Sequence, residues 1–278
     1  MIKLGEKQTL IVVKKVEFGV YLAPSLEDVE DKVLLPAKQV PENAQIGDAI
    51  EVFLYKDSKD RMIATTKEPK LVMGKVAELE VSQVNKFGAF LDWGLEKDLM
   101  LPYKQQLVKV HPADKVLVTL YIDKSDRLCA TMNVYPALRT DSPYKKEDQV
   151  SGRVYTISDE FGAFVAVDNI YSALIPKKEL YGNVKVGDDI TGRVVEVRPD
   201  GKLNLSIREK AYLQLEKDAE EILAIIDSYD GVLPFNDKVS PEIIKRETGM
   251  SKNGFKRAVG TLLKAGKIEI TEKVIRRL

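Results

Sequence analysis

The feature that most restricts how this chain can fold is a pattern that occurs three times. Phe161-Gly162-Ala163-Phe164-Val165 has a near copy in Phe87-Gly88-Ala89-Phe90-Leu91 and a looser one in Phe18-Gly19-Val20-Tyr21-Leu22. A hydrophobic residue and a proline trail each copy, as Ile175-Pro176, Leu101-Pro102 and Leu35-Pro36. From Phe to Pro the step is 15 residues in the third and second copies and 18 in the first. A short run closes each: Leu203-Asn204-Leu205-Ser206, Leu128-Cys129-Ala130-Thr131 and Met62-Ile63-Ala64-Thr65. Three landmarks in one order, three times over, define an internal repeat, and each unit must bury a small core of its own.

Charge narrows the function classes. Lys+Arg and Asp+Glu both number 43, so there is no bulk positive field of the kind a purely electrostatic nucleic-acid binder needs. The single cysteine, Cys129, excludes an internal disulfide framework, fits a reducing compartment, and reads as a small buried hydrophobe in a strand. The single histidine, His111, has no partner for a metal site or a nucleophile pair. No apolar run approaches about 18 residues and no signal pattern opens the chain, so the expectation is a soluble cytoplasmic protein with no membrane partner, no metal and no cofactor.

In the first copy, Thr9–Val16, Phe18–Leu22 and Ala49–Tyr55 read as short strands, and Asp57–Arg61 as a polar hairpin loop. Its connection carries Glu27, Asp28, Glu30 and Asp31, and carboxylates repel phosphate, so this copy should be a poor nucleic-acid binder. In the second copy, Asp123–Arg127 repeats the hairpin chemistry, and Trp93, the only tryptophan, either stacks on a base or packs against a neighbouring domain, with packing the expectation. Pro136 to Lys146 reads as a linker. The third copy is the cleanest: Gly152 stands where a barrel strand must bend, and Pro199-Asp200-Gly201 makes a tight turn. Period two puts Leu203, Leu205 and Ile207 in a core and Lys202, Asn204, Ser206 and Arg208 on the outer face, and Arg153 and Tyr155 are read as outward from Val154 in the same way, which makes Arg153, Tyr155, Lys202 and Arg208 candidate nucleic-acid contacts.

These residues carry a resemblance. Gly152, the Phe161–Val165 strand, Leu174-Ile175, Gly187-Asp188 and Leu205–Arg208 resemble the RNA-binding domain named after ribosomal protein S1, a five-stranded OB-fold barrel. The resemblance implies that the two aromatics of the repeated strand stack on bases beside a polar pair in the last hairpin. Carried over, those are Phe161, Phe164 and Lys202 in the third copy. They are Phe87, Phe90, Asp123 and Arg127 in the second, and Phe18, Tyr21, Asp57 and Arg61 in the first. The family's third-strand histidine is proline in all three copies (Pro36, Pro102, Pro176), and its acidic hairpin position is Arg198 in the third. Physical chemistry supports such a platform, because an aromatic ring can stack on any unpaired base for about 1–3 kcal/mol. Parity opposes it: Phe161 and Phe164 are three apart, so a regular strand sends them to opposite faces unless Gly162 hosts a bulge.

Beyond residue 210 the period changes. Leu215, Ala219, Ile222, Ile226 and Tyr229 mark one face of a helix that ends at Asp230-Gly231. Ser240-Pro241-Glu242 starts a second helix stopping at Gly249, and Ser251 caps a third, with Phe255, Val259 and Leu262 inward and Gly266 at its end. Ile268–Ile270 and Val274-Ile275 then alternate as a hairpin, and the whole resembles a winged helix-turn-helix. From Lys245 onward ten basic residues face three glutamates, a local charge of +7 hidden by the neutral total. Lys252, Lys256, Arg257 and Lys273 are its candidate contacts, and Asn253, Arg257 and Lys264 share roughly one helical face.

The expectation is therefore a multidomain, mainly β chain: three tandem S1-type OB-fold barrels at 1–67, 68–138 and 139–210, then an α+β winged helix at 211–278. With Phe90–Leu99 and Asp60–Thr66, the whole chain resembles the conserved virulence factor B family of bacterial RNA-binding regulators. That implies single-stranded RNA as partner, with DNA as the other candidate, and a role in gene expression after transcription, with binding concentrated in the C-terminal half. The alternatives are a DNA-binding transcriptional regulator led by the winged helix and an accessory subunit of an RNA-processing enzyme. Paired carboxylates with metal spacing, a nucleophile elbow and a phosphate-cradling glycine loop are all missing from the sequence, so catalysis is not expected.

Overall fold

The structure is a computed structural model that describes residues 2–28, 30–180, 183–208 and 211–278, without the side chains of 211–216. It divides into two compact units, Met1–Ile207 and Arg208–Leu278.

The first unit holds three five-stranded sheets of one topology. The first comprises β1 (Lys7–Val16), β2 (Gly19–Ala23), β3 (Val33–Pro36), β4 (Ala49–Lys56) and β5 (Met62–Thr65). The second comprises β6 (Val76–Asn85), β7 (Gly88–Asp92), β8 (Leu99–Pro102), β9 (Lys115–Ile122) and β10 (Leu128–Thr131). The third comprises β11 (Gln149–Ser158), β12 (Gly162–Val167), β13 (Tyr171–Pro176), β14 (Asp189–Val197) and β15 (Leu203–Ser206). In each, the long first strand pairs with both the second and the fourth. The first and third sheets close as barrels through a parallel pairing of the third and fifth strands, Leu34 with Ile63 and Ala173 with Leu203. The second runs β10-β9-β6-β7-β8 without that ladder among the described residues.

The repeated landmarks have physical reasons. Gly19, Gly88 and Gly162 sit at φ +149°, +156° and +118°, and a Cβ there would lie 2.1, 2.4 and 2.1 Å from the carbonyl oxygens of Leu35, Leu101 and Ile175. Only glycine lets the second strand approach the third so closely. The first strand bends at a bulge between Val12 and Lys14, Val81 and Gln83, and Val154 and Thr156. The bulge anticipated at Gly162 thus lies on the facing strand. Bends of this kind let a short sheet close. A turn braces each: Val12 exchanges two backbone hydrogen bonds with Gly47 and Asp48, Val81 with Ala113 and Asp114, and Val154 with Gly187 and Asp188, all 2.8–2.9 Å. The aspartate fixes the turn by accepting from the backbone N–H of Gln45, His111 or Lys185 at 2.7–2.8 Å. The closing run ends in a hydroxyl that donates to the short 3-10 turn after the proline: Thr65 to Gln39 (2.6 Å), Thr131 to Gln105 (2.7 Å) and Ser206 to Glu179 (2.8 Å). Ser206 is therefore buried, not on the outer face as period two suggested.

The second unit contains α1 (Ala211–Ser228), β16 (Val232–Leu233), α2 (Pro241–Thr248), α3 (Lys252–Lys264), β17 (Ile268–Ile270) and β18 (Ile275–Arg277). The side chain of Leu215 lies outside the described residues. Ala219, Ile222 and Ile226 pack against Phe235, Ile244, Phe255 and Val259 in one core. Gly249 ends α2 at φ +70°, Ser251 Oγ accepts from the Gly254 N–H at 3.2 Å to start α3, and Gly266 at φ +66° turns the chain into the wing. The wing is three-stranded, in the order β16-β18-β17. Asn236 anchors its tip, donating to the carbonyls of Thr271 (3.1 Å) and Glu272 (2.8 Å).

Two substitutions test the backbone argument with opposite signs. Gly162→Ala should cost about 3 kcal/mol, because strain and a backbone clash coincide. Ala113, at φ +70° where the other two copies have glycine, should gain up to about 1 kcal/mol as Ala113→Gly. Thermal melting of both variants against the parent checks the pair.

Candidate nucleic-acid interface

The turn before the second strand of each barrel throws an aromatic ring into solvent. Phe18, Phe87 and Phe161 are 58%, 59% and 54% exposed. Phe161 precedes β12 instead of lying in it, so it escapes the alternation that would have paired it against Phe164. The carbonyls of Phe18 and Phe161 accept from the N–H groups of Ala37 and Lys177 (both 3.0 Å), which ties each turn to the segment after the proline. Cations stand close by: the Lys86 ammonium lies 5.0 Å from the Phe87 ring centre, and the Phe161 anchor Lys177 is followed by Lys178, although Asp159 and Glu160 directly precede Phe161. Each of these two corners combines a flat apolar surface with positive charge, the chemistry that holds a base and its phosphate.

The inner aromatics, Tyr21, Phe90 and Phe164, are half-buried. Phe90 shares a recess of about 260 Å³ with Tyr55, Trp93, Met100 and Arg127, between the first and second barrels. Phe164 packs with Tyr155 (ring centres 6.2 Å apart) and Ala166 against Leu117, Val134 and Leu138 of the second repeat and its tail. Tyr155 does face outward from its barrel's core, as read, but the second repeat and its tail cover it, so it is buried in the joint and not open to a nucleic acid. Burial pushes its hydroxyl well above the ordinary tyrosine range, helped by nearby Tyr135.

The remaining candidates of the first unit are tied to carboxylates. Arg153 is mostly covered and pairs with Glu78 of the second barrel and, at 2.8 Å through two nitrogens, with Asp189, whose carboxyl is held below its usual range by those bonds. Arg127 pairs with Asp60 across the first and second barrels. Lys202 bonds Asp200 at 2.9 Å and lies 5.6 Å over the Tyr135 ring. These cations join parts of the unit together, a role their local sequence did not signal. Trp93 packs between barrels, edge-on to Phe53 (5.7 Å) and Tyr55 (6.3 Å), with its indole N–H donating to the Lys97 carbonyl at 2.6 Å. Cys129 is buried, which raises its thiol pKa to about 11, with Asp123 adding to the effect.

In the second unit Lys256, Arg257 and Lys273 are exposed, the first two on α3 and the third in the wing turn, and Asn253 is exposed one helical turn before Arg257. Lys252 differs: its ammonium donates to the Val239 carbonyl at 2.9 Å and helps seat α3. Arg208 opens this unit and is exposed. Among the described residues no acidic, histidine or cysteine cluster is placed to hold a metal, and no helix is long and apolar enough to cross a membrane.

Family models match in the same layout. The S1 domain model matches residues 4–67 and 73–133, a model for the second domain of virulence regulatory factor CvfB matches 137–209, and one for the CvfB-like winged helix domain matches 220–276. The protein YitL of Bacillus subtilis (strain 168) is 32% identical over 275 residues, covering 95% of this chain and 90% of that one. The chain belongs to the conserved virulence factor B family. Conserved virulence factor B of Staphylococcus aureus (strain N315) is 29% identical over 248 residues, with 82% of this chain and 81% of that protein covered. A crystal structure from Streptococcus pneumoniae, described as a multidomain protein with nucleic acid binding domains, aligns over 99% of this chain and 98% of its own, at 25% identity and a TM-score of 0.50. The generic S1 model falls on the first two copies, and the copy that reads as cleanest from sequence matches a model particular to the family.

The two aromatics of the third copy should separate on mutation. Phe164→Ala should lower stability by about 2–3 kcal/mol, below the about 3–5 of a fully buried ring, whereas Phe161→Ala should leave the melt unchanged. Tyr155→Phe should stabilise by about 1 kcal/mol, because it deletes a buried hydroxyl that has no hydrogen-bond partner among the described residues. Denaturant titration of the three variants decides.

Proposed function

We propose that this protein binds single-stranded RNA and regulates gene expression after transcription. The observation that carries the reading is the recurrence of one exposed phenylalanine at the same corner of three barrels, two of them beside lysines. Single strands present unstacked bases to such rings, whereas a duplex hides them. The domain types, the nucleic acid binding domains ascribed to the pneumococcal protein and the match to the second domain of virulence regulatory factor CvfB support a nucleic-acid-binding regulator. In this reading Phe87 and Phe161 stack on bases, and Lys256, Arg257 and Lys273 take phosphates. Phe18 contributes less, since Glu27, Asp28, Glu30 and Asp31 lie in the same barrel. The role is one of binding, without catalysis.

A second reading has its own support. The exposed Asn253, Lys256 and Arg257 near the start of α3 suit a helix that reads a duplex groove, which would make the protein a DNA-binding regulator. Equal-length single-stranded RNA, single-stranded DNA and duplex DNA in one titration separate the two. Tightest binding to single-stranded RNA is expected, and tightest binding to duplex DNA favours the second reading.

Phe161→Ala should weaken single-strand binding by about 1–3 kcal/mol and leave the salt dependence nearly unchanged. Replacing Lys256, Arg257 and Lys273 together with alanine should make the slope of log affinity against log salt shallower by about two, at roughly 0.7 per phosphate. Fluorescence anisotropy with a labelled oligonucleotide at several salt concentrations measures both. An unaltered slope in the triple variant would remove the winged helix from the binding surface.

A further inference from the structure

The seam between the second and third barrels leaves a cleft of about 680 Å³, inside the roughly 300–1,000 Å³ of ordinary ligand sites. It lies beside the two turns that brace the bulges, those of Asp114 and Asp188. Its walls are apolar, from Val110, Val116 and Met132 of the second barrel and from Ile157, Val184 and Val186 of the third. Tyr155, whose hydroxyl lacks a hydrogen-bond partner among the described residues, also lines it.

Its charges sort into engaged and available. Arg153 is paired with Glu78 and Asp189, and Lys115 lies 3.6 Å from Glu78. The carboxylates of Asp114 and Asp188 accept from their own turns. Lys109 and Lys185 are exposed and have no ion pair among the described residues. One comes from each barrel, so two available ammonium groups stand on the two sides of an apolar slot.

We propose that this cleft receives one nucleotide of a bound single strand, the base between the apolar walls and the flanking phosphates at Lys109 and Lys185. The arrangement matches a nucleotide unit, in which a planar ring with apolar faces is flanked on either side by a negatively charged phosphate. The proposal rests on the single-strand reading above and adds a subsite away from the exposed phenylalanines. Of the aromatics that the S1 resemblance implies, Phe164 lies in the same barrel–barrel joint, packed on Tyr155, but the cleft itself is lined by other residues.

The test uses the full chain and an oligouridylate carrying 4-thiouridine, irradiated and mapped by peptide mass spectrometry. Cross-links are expected in segments 108–117, 153–157 or 184–188. Lys109→Ala combined with Lys185→Ala should remove them and make the salt slope shallower by about 1.4, two phosphates at roughly 0.7 each. Both side chains are exposed, so the melt should not change. If the oligonucleotide binds but cross-links only near Phe18, Phe87, Phe161 or the winged helix, and the double variant keeps its slope, the cleft proposal is overturned while the single-strand reading stands. If the chain binds no single strand at all, both fall together.

Discussion

The backbone contact at Gly19, Gly88 and Gly162 governs the design of the first unit. At each, the second strand passes so close to a third-strand carbonyl that a single methyl group would not fit. That contact joins the second strand to the third at the head of their pairing. It also places the preceding residue outside the strand, where its side chain has no barrel to enter. The exposed phenylalanine and the buried glycine are thus two outcomes of one constraint. A binding corner repeated three times needs no separate explanation from the barrel that carries it.

The bulge in each first strand shows how one backbone device acquires different uses. The extra residue is Val13, Ser82 or Tyr155, and the valine before it makes the same pair of hydrogen bonds to the same kind of turn. Valine and serine at that point do little beyond filling or facing water. Tyrosine gives the third barrel a large ring to set against Leu117, Val134 and Leu138. The face that carries Phe164 is consequently part of a barrel–barrel joint, and exposed aromatic chemistry in the third copy shifts to the Phe161 corner. Docking and binding are divided between neighbouring parts of one hairpin.

Much of this is legible in the sequence wherever the signal is local. Strand alternation, the repeated glycine, Ser251 before α3 and the glycines after α2 and α3 each report on a few adjacent residues. Tyr155 and Ser206 are buried although alternation puts both on the outer face, because the second repeat covers one and a distant 3-10 turn covers the other. The engagement of Arg153 with Glu78, and of Arg127 with Asp60, joins residues 75 and 67 positions apart, and no periodicity encodes such a partner. β16 escapes a sequence reading because two residues leave no pattern. The exposure of Phe161 is suggested by the S1 resemblance, whereas its cause, a position in the turn ahead of the strand, needs the backbone.

Trp93 has a consequence of a different kind. As the chain's one indole, buried against Phe53 and Tyr55 of the preceding barrel, it dominates the intrinsic fluorescence and sits away from solvent at a joint between two barrels. Its emission therefore reads the integrity of that joint. It is a natural optical gauge of whether the first two barrels stay locked together while the protein works.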